Sequence, residues 1–266
     1  MCLKKLAPLG GVLVLAVVAS SCGTLRALKA RDQLNKGVAA YRNAQFQESI
    51  EHFKNAVQLD PSLLNARLYL ATAYAQQYQP GGESPENTKT GDQAIQAFED
   101  VLKLDPKNTT ALASVAQIYY NMKDFDKAKD FQRQRMQVEP NNPEPYYWIG
   151  VINWAICFQR DGEIRKDLSL TVPNKEGILP PLPEKARAKL ADQNSQLIDE
   201  GLTALTKSLD LKPNDFDTMA YLNLLYRQKA DIEDSKAARA ADLKTADDWQ
   251  QKAMTLRKQA PPKPAS

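Results

Sequence analysis

One short motif recurs along this chain at a nearly regular interval. Each copy closes an amphipathic stretch with an apolar residue, a charged residue and a proline, at Leu59–Pro61, Leu104–Pro106, Val138–Pro140 and Leu211–Pro213. Because proline lacks the backbone donor and clashes with the preceding turn, each copy predicts the end of a helix. The four prolines are 45, 34 and 73 residues apart. The first and third intervals exceed 34 by 11 and 39 residues, which indicates a 34-residue unit with two insertions.

Composition favours helices throughout. The 266 residues include only 11 Gly, and Ala, Leu, Lys and Gln, which are good helix formers, are abundant. A helical unit of 34 residues is typical of a pair of antiparallel helices repeated along the chain.

Small and aromatic residues recur at matching positions inside these units. Small residues allow close approach of the two helices in a pair, and aromatic residues fill the space between pairs. The matching positions are Gly37, Phe46, Phe53 and Ala56, then Leu70, Ala71, Tyr74, Ala94 and Phe98, then Val115, Ala116, Tyr119, Phe125 and Ala128, then Ile149, Gly150, Gly201, Leu205 and Leu209.

Over residues 30 to 230 the chain therefore resembles the tetratricopeptide repeat (TPR) family. The resemblance implies an all-α solenoid of four to five helical hairpins, wound as a right-handed superhelix.

The motif positions predict repeats over residues 30–63, 64–108, 109–142 and 143–215, then a degenerate fifth repeat and capping helix over 216–258. The insertions, 80–91 and 158–194, both fall between the two helices of a hairpin. The first has the composition of a solvated loop, and the second is proline-rich up to Pro183 and helical from Glu184. The lengthened edge is either tolerated loop growth or a partner-specific lip. A disordered proline-rich tail is expected over 259–266.

Residues 1–21 have the three parts of an export signal: basic Lys4 and Lys5, an apolar stretch over Leu6–Ala19, and small residues before Cys22. This resembles a bacterial lipobox, although Ala19 stands where Leu is commonest. The resemblance implies that the signal peptide is removed and that residues 22–29 form a lipidated N-terminus and short linker. A plain secretory signal and an uncleaved anchor remain alternatives. In the sorting rule of some such lipoproteins, a residue other than Asp after the cysteine, here Gly23, implies the outer membrane, facing the periplasm.

Charge and reactive residues exclude several functional classes. Loss of Lys4 and Lys5 would leave 33 basic residues against 32 acidic ones, so no basic surface for nucleic acid is expected. The chain has one histidine, His52, and no Cys-x-x-Cys pair, Gly-rich phosphate loop or Ser/His/Asp arrangement. We therefore predict no catalytic activity, no metal site and no cofactor.

The TPR resemblance implies a concave groove lined by the first helix of each hairpin. A row of aromatic and amide side chains there is typical of surfaces that bind protein segments. The predicted groove residues are Tyr41, Tyr69, Gln117, Tyr120, Asn121, Tyr147, Trp154, Tyr221 and Arg227. Leu34 and Val38 replace the Lys and Asn of TPR domains that clamp a C-terminal carboxylate, so no such clamp is expected.

These observations predict a lipid-anchored periplasmic scaffold that binds protein partners during assembly of an envelope complex. The groove, and secondarily the insertion edge, would contact the partner, and acyl chains on Cys22 would contact the membrane. The alternative is a protein that binds a glycan or peptidoglycan fragment in the same groove.

Overall fold

The computed structural model describes residues 10–173, 175 and 179–259, with side chains from residue 23 onward. These residues form ten α-helices and no strand, so the prediction of an all-α fold is confirmed. The helices are α1 (Gly10–Arg42), α2 (Phe46–Leu59), α3 (Leu64–Ala75), α4 (Pro85–Leu104), α5 (Thr109–Asn121), α6 (Phe125–Val138), α7 (Pro143–Asp167), α8 (Glu184–Leu211), α9 (Phe216–Ile232) and α10 (Lys236–Gln259).

The helices group into two compact units, α1–α5 within residues 1–122 and α6–α10 within residues 123–266. In the first unit α1 packs on α2 and α3 on α4, and in the second α7 packs on α8 and α9 on α10. In the α1–α2 pair, Arg26 near the start of α1 donates to the carbonyl of Gln58 near the end of α2. Gly37, further along α1, contacts Phe53, so the two helices run antiparallel as a hairpin.

The recurring proline motif marks both a helix end and the next helix start. Its charged residue is the C-cap of a helix at Asp60, Asp105, Glu139 and Lys212. In the last three copies, a polar side chain two residues after the proline caps the next helix by accepting a backbone N–H bond, whereas Leu63 after Pro61 makes no such bond. Asn108 accepts from Ala111 at 3.0 Å, and Asp215 accepts from Thr218 at 3.1 Å.

Close packing inside the hairpins depends on two of the predicted glycine positions. A Cβ atom placed on Gly150 of α7 would lie 2.3 Å from the Cγ atom of Leu205 on α8. A Cβ atom on Gly37 would lie 2.5 Å from the Phe53 ring. Both separations are shorter than real Cβ contacts, so a larger residue would force the facing side chain or the paired helices to shift.

The expected linker over residues 22–29 is wrong. Residues 23–29 belong to α1, which continues without interruption to Arg42. After Gly23 this stretch contains Leu, Arg, Ala and Lys, so nothing in it breaks a helix. Arg26 also contacts α2, and the first helix therefore begins before residue 30.

The expected loop over residues 80–91 is helical in its second half. The α4 helix begins at Pro85, and the Ser84 hydroxyl caps it by accepting from the backbone N–H of Asn87. The second insertion is likewise mostly helix, because α7 extends to Asp167 and α8 begins at Glu184, where the sequence predicted a helix.

The predictions of lipidation at Cys22 and of a disordered C-terminal tail fall on parts of the molecule that the structure does not describe. The side chain of Cys22 and the tail from residue 260 lie outside the described residues. Among the helices that the structure describes, none is long and apolar enough to cross a membrane.

Candidate functional site

Four aromatic side chains form a continuous row on α7 and α9, which we call the aromatic row: Tyr147, Tyr221, Trp154 and Phe158. The Tyr147 and Tyr221 rings meet edge to face, with centroids 5.6 Å apart. Tyr221 meets Trp154 in the same way at 5.4 Å. Trp154 then stacks on Phe158 at 5.2 Å, with an angle of 25° between the planes. Each separation lies in the range of favourable ring pairs.

Beneath the row lies the hydrophobic core of the second unit. Tyr147, Trp154 and Tyr221 are half-buried against a cluster of fully buried residues, Cys157, Ile198, Leu205, Leu222 and Leu225. Burial, together with the nearby carboxylate of Asp217, raises the pKa of the Tyr221 phenol above its ordinary value. The Tyr221 phenol is therefore neutral at physiological pH. The buried cluster beneath the row holds its ring in place.

Phe158 is the most exposed member of the row, with 57% of its surface accessible. Phe158 was not among the predicted groove residues, because residue 158 was expected to begin an insertion. Its spacing in the sequence could have identified it. Tyr147, Trp154 and Phe158 are separated by seven and four residues, so they share one face of a helix. Phe158 lies in the part of α7 that extends into the insertion, as far as Asp167.

Arg227, another predicted groove residue, is engaged by the neighbouring helix. Its guanidinium donates to Asp247 at 2.6 Å and to Gln250 at 3.2 Å, both on α10. It also donates to Asn223 on its own helix at 2.9 Å. The structure thus gives Arg227 the role of joining α9 to α10.

The other predicted groove residues belong to the first unit. Tyr69 is partly exposed and stacks on Phe53 with ring centroids 5.6 Å apart. Tyr41 packs edge to face on Phe46 at 5.4 Å. Gln117 donates to Asn121 at 3.1 Å, and Tyr120 is half-buried beside them on α5. Tyr69 is thus the most exposed of these rings, and the amide pair forms a separate polar patch.

A partly buried polar network lies next to the core of the second unit and was not predicted. Glu200 on α8 accepts from Lys129 at 2.5 Å, Arg133 at 2.8 Å and Asn153 at 2.9 Å. Burial alone would raise the pKa of Glu200, but these hydrogen bonds outweigh it and lower that pKa to about 2. Glu200 is therefore ionised at neutral pH and holds α6, α7 and α8 together.

A second unpredicted network holds the long insertion. The buried Arg165 on α7 pairs with Asp161 at 2.7 Å and with Asp231 on α9 at 3.0 Å. It also donates to the carbonyl of Pro180, at 2.7 Å, in the connection between α7 and α8. Burial raises the pKa of Asp161, although the bond from Arg165 opposes this shift. The guanidinium thus fastens the proline-rich segment to two helices.

The reactive and metal-ligating side chains near the aromatic row are few. Burial raises the pKa of the Cys157 thiol to about 12, although the positive charges of Arg160 and Lys129 lower it, so the thiol is protonated and inert near neutral pH. Among the described residues, no group of three or more His, Cys, Asp or Glu side chains is placed to hold a metal ion.

Comparison with known families and proteins agrees with this geometry. Residues 89–149, from α4 to the start of α7, match the model of a tetratricopeptide repeat family. The chain therefore contains tetratricopeptide repeats. It is 23% identical over 180 residues to the interferon-induced protein with tetratricopeptide repeats 2 of Cricetulus griseus, a match that covers 68% of this chain and 31% of that one. The chain spans less than a third of the length of the curated relatives that it matches.

Solved TPR structures share the fold. A crystal structure of the MamA protein aligns with 90% of this chain and 97% of its own, with a TM-score of 0.57 and 14% identity. A structure of YrrB, described as a TPR protein with an unusual peptide-binding site, covers 85% of this chain and 90% of its own, with a TM-score of 0.51 and 14% identity. The prediction of a TPR solenoid is thereby confirmed.

Proposed function

We propose that this TPR protein is a scaffold that binds a segment of a protein partner on the aromatic row. The observation that carries the proposal is the continuous series of ring contacts from Tyr147 to Phe158, half-buried at Tyr147 and exposed at Phe158. Large rings held in place from below offer contact area at small entropic cost, which is why aromatic residues dominate binding hot spots. The peptide-binding site described for YrrB adds support at the level of the fold.

Site-specific crosslinking in intact cells tests this proposal. A photoreactive amino acid at Phe158 should capture a defined partner protein, and the same group at exposed Glu163 on α7 serves as a matched control. A Trp154→Ala substitution should reduce capture without unfolding the protein. Equal capture at both probe positions, or capture unchanged by Trp154→Ala, would remove the aromatic row from the account.

A glycan or peptidoglycan fragment is the competing ligand for the same rings. Thermal-shift titrations with soluble peptidoglycan fragments separate the two classes. Stabilisation by fragments, lost in Trp154→Ala and without any captured protein, would overturn the protein-scaffold proposal.

We place the scaffold at the periplasmic face of the outer membrane, anchored through acyl chains on Cys22, and assign it to assembly of an envelope complex. The sequence before Cys22 supports the anchor, because an apolar stretch there is followed by small residues. A diacylated cysteine holds a protein stably, whereas one chain holds it only marginally. Metabolic labelling with a fatty acid should label the wild type and spare Cys22→Ala. Equal labelling would refute the anchor and leave the binding proposal untouched.

A further inference from the structure

A second surface lies along α6, α7 and α8, on another face of α7 from the aromatic row. It is a groove of about 570 Å³, which we call the α6–α8 groove. Its floor is apolar and is formed by Met136, Tyr146, Ile149 and Ala204. Ile149 and Ala204 are buried, whereas Met136 and Tyr146 are only half-buried and present apolar surface to an incoming ligand.

The floor is held in place by the Glu200 network. Glu200 lines the groove while Lys129, Arg133 and Asn153 engage it from α6 and α7. The charge of Glu200 is therefore already balanced, and a ligand need not neutralise it. The centre of the groove favours an uncharged, apolar contact.

Two charges on α8 remain available at the edge of the groove. Asp199 and Lys207 are both exposed, and neither forms a hydrogen bond or ion pair with another residue in the described part of the chain. They are eight residues apart, which corresponds to about 12 Å along a helix. The edge thus has one negative and one positive position, two turns apart.

We propose that the α6–α8 groove binds an amphipathic helix of a protein partner. The apolar stripe of that helix would lie on Met136 and Tyr146, with a basic residue beside Asp199 and an acidic residue beside Lys207. A helix suits this surface because side chains of one helix pack into the grooves of its neighbours, and amphipathic helices commonly bind in apolar grooves. The mixed charges and apolar floor match neither nucleic acid nor a glycan.

Designed helical peptides provide the test with the full-length protein. A fluorescent 14-residue peptide of mixed charge has a leucine stripe, Arg near one end and Glu near the other, and a second, basic peptide has Arg at both ends. Wild type should bind the mixed peptide about three- to ten-fold more tightly than the basic one, measured by fluorescence anisotropy. Lys207→Glu should reverse this preference, because Asp199 and the new carboxylate would both attract Arg.

Three variants complete the design. Thr203→Trp, which fills the groove, should abolish binding, whereas Lys189→Glu, an equal charge change elsewhere on α8, should leave it unchanged. Phe158→Ala should also have no effect, which separates this groove from the aromatic row. The proposal is overturned if neither peptide binds, if Lys207→Glu keeps the wild-type preference, or if Thr203→Trp still binds. A dimer that Thr203→Trp dissociates in light scattering would instead identify a second copy as the occupant.

Discussion

The Nζ atom of Lys129 lies 2.5 Å from Oε2 of Glu200, and this contact joins α6 to α8 in the second unit. Lys129 is 6% exposed, so its charge depends on that carboxylate for compensation. Replacement of the anion would leave a buried ammonium group without its counter-charge, which is costly.

Glu200→Gln should therefore lower the free energy of unfolding by about 1–3 kcal/mol at pH 7, measured by urea denaturation. The pKa of Glu200 is lowered from 4.5 to about 2 in the folded protein, so its contribution is full above pH 4.5 and is lost as the pH falls toward 2. The difference between wild type and variant should shrink over that interval. Asp192→Asn, at an exposed site on α8, is the control and should behave as wild type. A constant difference from pH 7 to pH 3 would contradict the assigned role.

Arg165→Met should release the connection between α7 and α8. The substitution removes the bonds to Asp161, Asp231 and the carbonyl of Pro180 and leaves a buried carboxylate unpaired. We expect a loss of about 3–5 kcal/mol in unfolding free energy and faster proteolytic cleavage within residues 168–183.

Arg187→Met is the matched control for that experiment, because Arg187 pairs with Asp234, whose side chain is 90% exposed. Its cost should stay below about 1 kcal/mol. Identical protease patterns for the two variants would show that Arg165 does not hold the insertion.

Gly150→Ala should destabilise the α7–α8 hairpin by about 1–3 kcal/mol, because its Cβ atom would overlap the Leu205 side chain. Gly162→Ala on the same helix has open space around it and should be stabilising by about 0.5–1 kcal/mol, since alanine is the better helix former. Urea denaturation of both variants measures whether the free energy of unfolding falls or rises. A neutral Gly150→Ala would mean that the hairpin tolerates separation.

Cys157 should resist alkylation in the folded protein. Its side chain is fully buried and burial raises its pKa to about 12, so almost no thiolate exists at pH 8. Iodoacetamide treatment followed by peptide mass spectrometry should find Cys157 modified only after urea is added. Rapid modification of the native protein would show that this part of the core opens readily.

Much of the fold could be predicted because its determinants are local. In each copy of the motif the proline follows a helix end, and in the last three copies a polar residue two positions later caps the next helix, as at Pro106 and Asn108. The need for small residues at Gly37 and Gly150 follows from the repeat itself. These features depend on residues close in sequence, so their spacing carries the information.

Arg135 shows where such reasoning stops. It lies five residues before Pro140, where the first repeat has the small residue Ala56 five residues before Pro61. The structure buries Arg135 between Glu139 and Glu144, at 3.0 and 2.8 Å. The pattern describes the size of an average residue at that position. It does not describe a larger side chain that is accommodated because two carboxylates neutralise it.

The sequence by itself determined the helical repeat, the ends of most helices, the glycine contacts and three of the four rings in the aromatic row. Only the tertiary structure decided that Phe158 completes the row, that Arg227 binds α10, and that Glu200 and Arg165 hold distant helices together. The physical reason is range. Helix ends and helix faces follow from neighbours a few residues away, whereas a pair such as Arg165 and Asp231 forms only after folding brings the two helices together.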